Sequence, residues 1–296
     1  MSTPRLPAHQ DSGDDWYVRG DSGGYFPTVE SAEEYKRLIE EQVYHRVRHQ
    51  CLETLLRRST DLLTRLPTEN LTVLDFGIGD GGEIYKLGLP TKKIYGIDTS
   101  EHMISLAKQR FHDTQFVGFV GGAERLREVN GQVDALFCIN TLGYLSHEED
   151  TVFWKETRRL IKPGGFLVIM TGNSLFDLFA LNSGTADFFA SEFKVDGASS
   201  LLARGDQPRF LNARRRNPLK FPSELRRAGF RQIDTGFCMW HLVPPELLIT
   251  ESGRSIRQAR WESRDFAIYD ESVPEDEKWQ LLFRCSIFAS ISVPDL

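Results

Sequence analysis

A chain of 296 residues, 40% hydrophobic and 26% charged, has enough apolar material for one large core and too little for two comfortable domains. Its formal charge of -6 argues against a general affinity for nucleic acid or an anionic membrane, which attract Lys and Arg. The longest apolar runs, such as 166–170, fall far short of the roughly 20 residues of a membrane helix, and Met1 to Gln10 lacks the apolar segment of a signal peptide. A cytoplasmic protein is expected, with one core and appendages.

In chain order, residues 1–29 are rich in Asp, Gly, Ser and Pro but carry Trp16, Tyr17, Tyr25 and Phe26, so they read as a loop that docks through aromatics. From Ser31 the pattern turns helical. Ser31 and Glu34 form a capping box, and Tyr35, Ile39, Val43, Val47, Cys51 and Leu55 recur at helical spacing. Residues 1–66 are therefore predicted to be an N-terminal loop and helical cap on a core spanning 67–296. Within that core, 71–76, 93–97, 115–120, 133–139 and 165–171 read as short buried strands, with helical patterns such as Met103, Ala107 and Phe111 between them. That rhythm predicts βαβ units and a parallel sheet. A helix over 223–228, a strand over 230–239 and a long final strand over 279–293 follow. Two stretches interrupt the alternation. Residues 173–220 hold Leu175, Phe176, Leu178, Phe179, Phe188, Phe189 and Phe193, as a helical lid would, and 241–277 are mostly polar and charged. Cys51, Cys138, Cys238 and Cys285 are scattered without a C-x-x-C pair, so no metal or redox site is expected.

The turn after the first strand carries the chemistry: Leu74-Asp75-Phe76-Gly77-Ile78-Gly79-Asp80-Gly81-Gly82. Gly77, Gly79 and Gly82 fit G-x-G-x-x-G, which by itself equally suits a nicotinamide or flavin enzyme. The two carboxylates favour another cofactor. Asp75 and Asp80 lie where a pyrophosphate would rest, and like charges a few ångströms apart repel by about 1 kcal/mol even in water and by several times more when partly buried. A sulfonium and an ammonium reverse the sign. Taken singly, Asp75 could be a loop cap and Asp98 a surface strand end.

This turn resembles motif I of the class I S-adenosylmethionine-dependent methyltransferases, and the resemblance continues. Tyr95-Gly96-Ile97-Asp98 is similar to the end of the family's second strand, 133–140 to its fourth, Leu160-Ile161-Lys162-Pro163-Gly164-Gly165 to the turn into its fifth, and 224–236 to its next helix and sixth strand. The resemblance implies an α/β Rossmann-like, mostly parallel seven-stranded sheet with helices on both faces. Its last strand would be antiparallel, with an N-terminal helical cap and a helical insertion after the fifth strand. It implies S-adenosylmethionine as cofactor, with Asp98 accepting from both ribose hydroxyls, a task that suits a carboxylate's several acceptor sites. Asp75, Gly77, Gly79, Asp80, Thr99, Met103 and Asn140 complete the expected cofactor set. Where many members carry an acidic residue near the adenine amino group this chain has Gly122-Ala123, so that contact falls to backbone around Ala123 and to Glu124.

Ligands of open parallel sheets bind beyond the carboxyl ends of the strands, so residues 140–147 face the methyl donor. Tyr144 stands where relatives often carry His. His147 follows a capping box of Ser146 and Glu149, and the helix dipole there favours a neutral ring able to take a proton. The competing reading is a solvated first-turn residue beside Glu148, Glu149 and Asp150. His241 is the other candidate base, and a dry pocket that aligns the reactants needs none. Tyr35 and Tyr44 are expected to close over the acceptor. Arg214, Arg215 and Arg216 read either as a fork for carboxylate or phosphate or as a solvated run. Without an Asn/Asp-Pro-Pro-aromatic sequence after the fourth strand, a small-molecule acceptor methylated on oxygen is favoured: a hydroxylated and, through the arginines, anionic metabolite. An N-methyltransferase, a nicotinamide oxidoreductase and a silent cofactor-binding regulator are the alternatives. No metal, nucleic acid or membrane partner is expected, and the chain is expected to be a monomer or homodimer.

Overall fold

The computed structural model describes residues 43–59, 70–178, 214–240 and 274–295. The first helix, α1 (Val43–Arg58), precedes an alternating run: β1 (Leu71–Phe76), α2 (Gly82–Lys86), β2 (Thr91–Asp98), α3 (Glu101–Arg110), β3 (Gln115–Val120), β4 (Val133–Ile139), α4 (His147–Leu160) and β5 (Ile161–Gly172). Then come α5 (Phe221–Arg227), β6 (Phe230–Trp240), α6 (Trp279–Arg284) and β7 (Cys285–Pro294). Ser31, Tyr35, the body of the insertion over 179–213, and 241–273 with His241 lie outside the described residues.

The sheet has seven strands in the order β3-β2-β1-β4-β5-β7-β6. Every pairing is parallel except those of β7, which runs antiparallel to both β5 and β6. Strands covered on both faces read as near-continuous apolar runs, and every residue of β4 is buried. On one face, Val73, Ile94, Phe137 and Val168 pack with Leu52 and Leu55 of α1, Ile84 of α2 and Ala107 of α3. On the other, Leu74, Ile97, Leu136 and Ile169 pack with Phe153 and Leu160 of α4 and Phe221 and Leu225 of α5. Each such fully buried large side chain contributes roughly 1.5–3 kcal/mol. The alternation of side chains along each strand thus fills two cores, and helices cover both faces.

The chain leaves β1 towards β2 and β3 on one side and returns to β4 on the other. The strand order therefore reverses between β1 and β4, where open α/β sheets form their ligand crevice. The approach is tight: a methyl group at Gly77, just past β1, would lie 1.9 Å from Thr141 Oγ1, just past β4.

Two spans differ from the sequence reading by more than two residues at one end. Residues 279–284 form a helix, not the start of the last strand. Gln280, Leu281, Leu282 and Arg284 are strong helix formers, Trp279 and Phe283 pair across one turn with ring centroids 6.4 Å apart, and dense β-branching begins only at Ile287. β5 begins at Ile161 rather than Gly165, because Ile161 pairs with Val133 across an irregularity that takes up the Lys-Pro-Gly-Gly turn. Gly164 in that turn has φ 82°. Among the described residues no helix is long and apolar enough to cross a membrane.

Candidate active site

The turn after β1 passes through the left-handed region at Gly77, Gly79 and Gly81, with φ of 78°, 55° and 76°, a conformation that costs any residue with a Cβ. Gly77 N and Ile78 N both donate to Ile97 O, at 2.7 and 3.1 Å, tying the turn to the end of β2. A methyl group at Gly79 would meet no described residue within 4 Å, so among these residues the glycine is the open wall of the turn. Gly82, the third glycine of the sequence pattern, is not left-handed; Gly81 is.

Three carboxylates surround this wall. Asp75 is 3% exposed and its Oδ1 has no hydrogen-bond partner among the described residues. Burial, then Glu83 and Asp98, hold its pKa well above the usual carboxylate range. Asp98, at the end of β2, accepts from Gly79 N through Oδ2 and from Ser100 N through Oδ1, both at 2.9 Å. Burial raises its pKa too, against the lowering effect of those two amides and of Thr99. Glu83 of α2 is gripped by α1, with Arg48 Nη2 at 2.9 Å and His49 Nδ1 at 3.3 Å. No local pattern marks Glu83, because its partners lie 35 and 34 residues away.

Asp80 already has a cation for a partner. Its carboxylate bonds Arg110 Nη2 and accepts from Gly82 N at 3.0 Å, while Arg110 Nε donates to the Asp80 carbonyl at 2.9 Å. Its charge is neutralised within the protein, so the negative field of the turn rests on Asp75 and Asp98. Thr99 follows Asp98 directly. Met103, one turn into α3, is fully buried, and its N–H is capped by Ser100 Oγ at 3.3 Å. Beyond β3, Gly121 N donates to Asp98 O at 2.8 Å, which brings the next turn alongside. There Ala123 is buried, while exposed Glu124 folds back to accept from Gly122 N at 2.8 Å. Asn140 ends β4 with φ 56°, unusual without glycine, and its N–H donates to Met170 O at 2.7 Å. Asn is among the few residues that visit this region routinely, and such conformations gather at functional sites.

The ends of β4 and β5 are built from side chains. Tyr144, 43% exposed, closes a short 3-10 turn, Leu142–Tyr144. Ser146 and Glu149 form both bonds of the capping box, and His147 opens α4. Arg214 Nη1 lies 2.9 Å from His147 Nδ1, and Arg214 Nη2 lies 3.2 Å from Asp150 Oδ2. Arg216 Nη2 donates to Asp150 Oδ1 at 2.7 Å, and Nη1 to Glu224 of α5. The Arg216 backbone bonds Gly172 O and Ser174 N, both at 2.9 Å, adding this segment to the end of β5. Arg215 packs its stem on Gly172 and its guanidinium 5.8 Å from the Phe176 ring centre. In the arginine run, two guanidiniums meet Asp150, and that of Arg216 also meets Glu224. Tyr44 belongs to α1, but its side chain, like Tyr35 and His241, lies outside the described residues. Among the described residues no cluster of His, Cys, Asp and Glu could hold a metal ion.

With this geometry in place, residues 73–165 match the family model described as "Methyltransferase domain". That segment is a methyltransferase domain. The Bacillus subtilis protein YqeM, provisionally named a methyltransferase, is 33% identical over 101 residues, 32% of this chain and 40% of YqeM. The demethylmenaquinone methyltransferase of Thermotoga maritima is 29% identical over 114 residues, 38% of this chain and 48% of that enzyme. These matches span less than half of either relative. Among solved structures, an S-adenosylmethionine-dependent methyltransferase from Clostridium acetobutylicum superposes with a TM-score of 0.54 at 10% identity, over 89% of this chain and 99% of its own. The sheet order and this superposition agree on the Rossmann-like fold of class I methyltransferases.

Proposed function

We propose that this chain is an S-adenosylmethionine-dependent methyltransferase that methylates oxygen on a hydroxylated small-molecule acceptor. One observation carries the reading: the buried Asp75 carboxylate, with an oxygen that no described residue partners, interacts with Asp98, which holds the amide of the open Gly79. A buried carboxylate without a partner is costly, and a cationic ligand offsets that cost where a pyrophosphate would add to it. The residues present thus fit the cofactor. S-adenosylmethionine, when bound, supplies a methyl group on a positively charged sulfur. Asp75 would face its positive charge, and Asp98, whose oxygens each keep acceptor capacity beyond one backbone amide, would take the ribose hydroxyls. Gly77 and Gly79 would allow a close backbone approach, Thr99 and Met103 would flank the ribose end, and the turn at Ala123 and Glu124 would adjoin the base.

Asn140, Tyr144 and the His147–Arg214 pair lie across the switch point and would receive and align the acceptor. The demethylmenaquinone named for one relative supports a small organic acceptor. Incubation with isotopically labelled S-adenosylmethionine and a metabolite extract, with mass-spectrometric identification of products, tests the proposal. A product labelled on oxygen supports it. Label on nitrogen would move the assignment to N-methylation, and tight cofactor binding without any labelled product would favour a silent regulator.

A further inference from the structure

We propose that Arg214 fixes the His147 ring with its proton on Nε2, so that His147 meets the acceptor as a hydrogen-bond donor and not as a base. The inference rests on the methyltransferase reading above and narrows its acceptors to those with an acidic oxygen: carboxylates, phenols and enols.

Arg214 Nη1 and His147 Nδ1 are 2.9 Å apart. A guanidinium has five N–H donors, no acceptor and a permanent charge, so in this pair only Nδ1 can accept. A ring whose Nδ1 accepts carries its proton on Nε2. The orienting side chain is itself held from several directions. Arg214 N donates to Gly143 O at 2.9 Å, and its Nη2 lies 3.2 Å from Asp150. Asp150 stands one turn along α4 from His147, on the same face of the helix. Its other oxygen is held by Arg216, which Glu224 clamps in turn. The capping box pins the first turn that carries His147. The Arg214–His147 bond is itself exposed, and its two ends are tied by the capping box and by the Asp150, Arg216 and Glu224 pairs.

General base catalysis requires a lone pair aimed at the acceptor's proton. The imidazole has one, and Arg214 takes it. An ordinary alcohol would find no proton acceptor at His147. A carboxylate, phenolate or enolate needs none, and gains a charge-assisted contact from the adjacent guanidinium.

The test is a long-range proton–nitrogen correlation spectrum of the ¹⁵N-labelled full chain with S-adenosylhomocysteine, at mildly alkaline pH, with His147 assigned by its loss in His147→Gln. The expected spectrum shows Nδ1 of the unprotonated type and Nε2 of the protonated type, and Arg214→Met is expected to shift both nitrogens to values averaged between tautomers. A protonated Nδ1 in the native chain, or an unchanged spectrum in Arg214→Met, overturns the proposal. If Arg214→Met does not fold, Asp150→Asn, which loosens the same arginine, is read in its place. Calorimetry with S-adenosylhomocysteine on the same sample separates the two levels: no binding would overturn the methyltransferase reading, while the tautomer alone decides the role of Arg214.

Discussion

At the ends of β1 and β2, the acids that face the crevice are set by the backbone: Asp98 accepts the amides of Gly79 and Ser100, and strand register places Asp75 opposite Gly96 and Phe137. Across the switch point, at the ends of β4 and β5, His147, Asp150, Arg214, Arg216 and Glu224 hold one another through side chains from three separate segments. The first half is tied mainly through strand register and backbone amides and should fail chiefly in ligand affinity. The second is an ion-pair network and should fail in stability.

The largest expected effect breaks the network half. Arg216→Met leaves the partly buried Asp150 and Glu224 without their shared cation, and leaving such groups short of a partner costs roughly 1–3 kcal/mol, towards the upper end for charged groups. Urea unfolding should register that loss, while S-adenosylhomocysteine affinity at 25 °C stays near the wild-type value. Asp98→Ala should do the reverse, weakening that affinity by roughly 1–3 kcal/mol through lost charge-assisted bonds, with a smaller change in the urea midpoint. Equal losses in both quantities for either variant would erase the distinction between the halves.

Asp75 sharpens the comparison through pH. Its pKa in the folded chain stands well above the ordinary 3.8, so between the two values the native state holds a proton that the unfolded chain has lost. Stability of the ligand-free chain therefore falls as pH rises through that window, and the penalty persists above it. Asp75→Asn removes the penalty. Its melting temperature without ligand should exceed wild type at neutral pH, by about 2–4 °C for each kcal/mol relieved, with the advantage vanishing in acid. The same variant should bind S-adenosylmethionine less tightly. A variant that melts lower than wild type at neutral pH would show that Asp75 is structural. The smallest effect belongs to Ser146→Ala, which removes a cap worth about 1 kcal/mol and should be visible as a modest shift in the urea midpoint.

The same contrast explains what the sequence revealed. β1 and β4 end where their apolar runs end, because strands buried on both faces admit little else. The glycine turn and Asp98 are short-range features, readable from neighbours within a few residues. Asp80 looked equivalent to Asp75 because its partner, Arg110, lies 30 residues on, and Glu83 carried no signal because Arg48 approaches it from α1. The arginines were ambiguous for the same reason, since Asp150 lies 66 residues from Arg216 and only the fold brings them together. At the final strand, aromatic and leucine residues over 279–284 resembled a strand until packing rewarded the helix.

Calorimetric titration of the full chain with S-adenosylhomocysteine and, separately, with NADH tests the central claim most directly, because the two ligands share a nucleoside and differ in the charge they bring to Asp75 and Asp98. Saturable binding of S-adenosylhomocysteine, none of NADH, and a weakened isotherm in Asp98→Ala are the predicted results. NADH binding in the absence of S-adenosylhomocysteine binding would contradict the account.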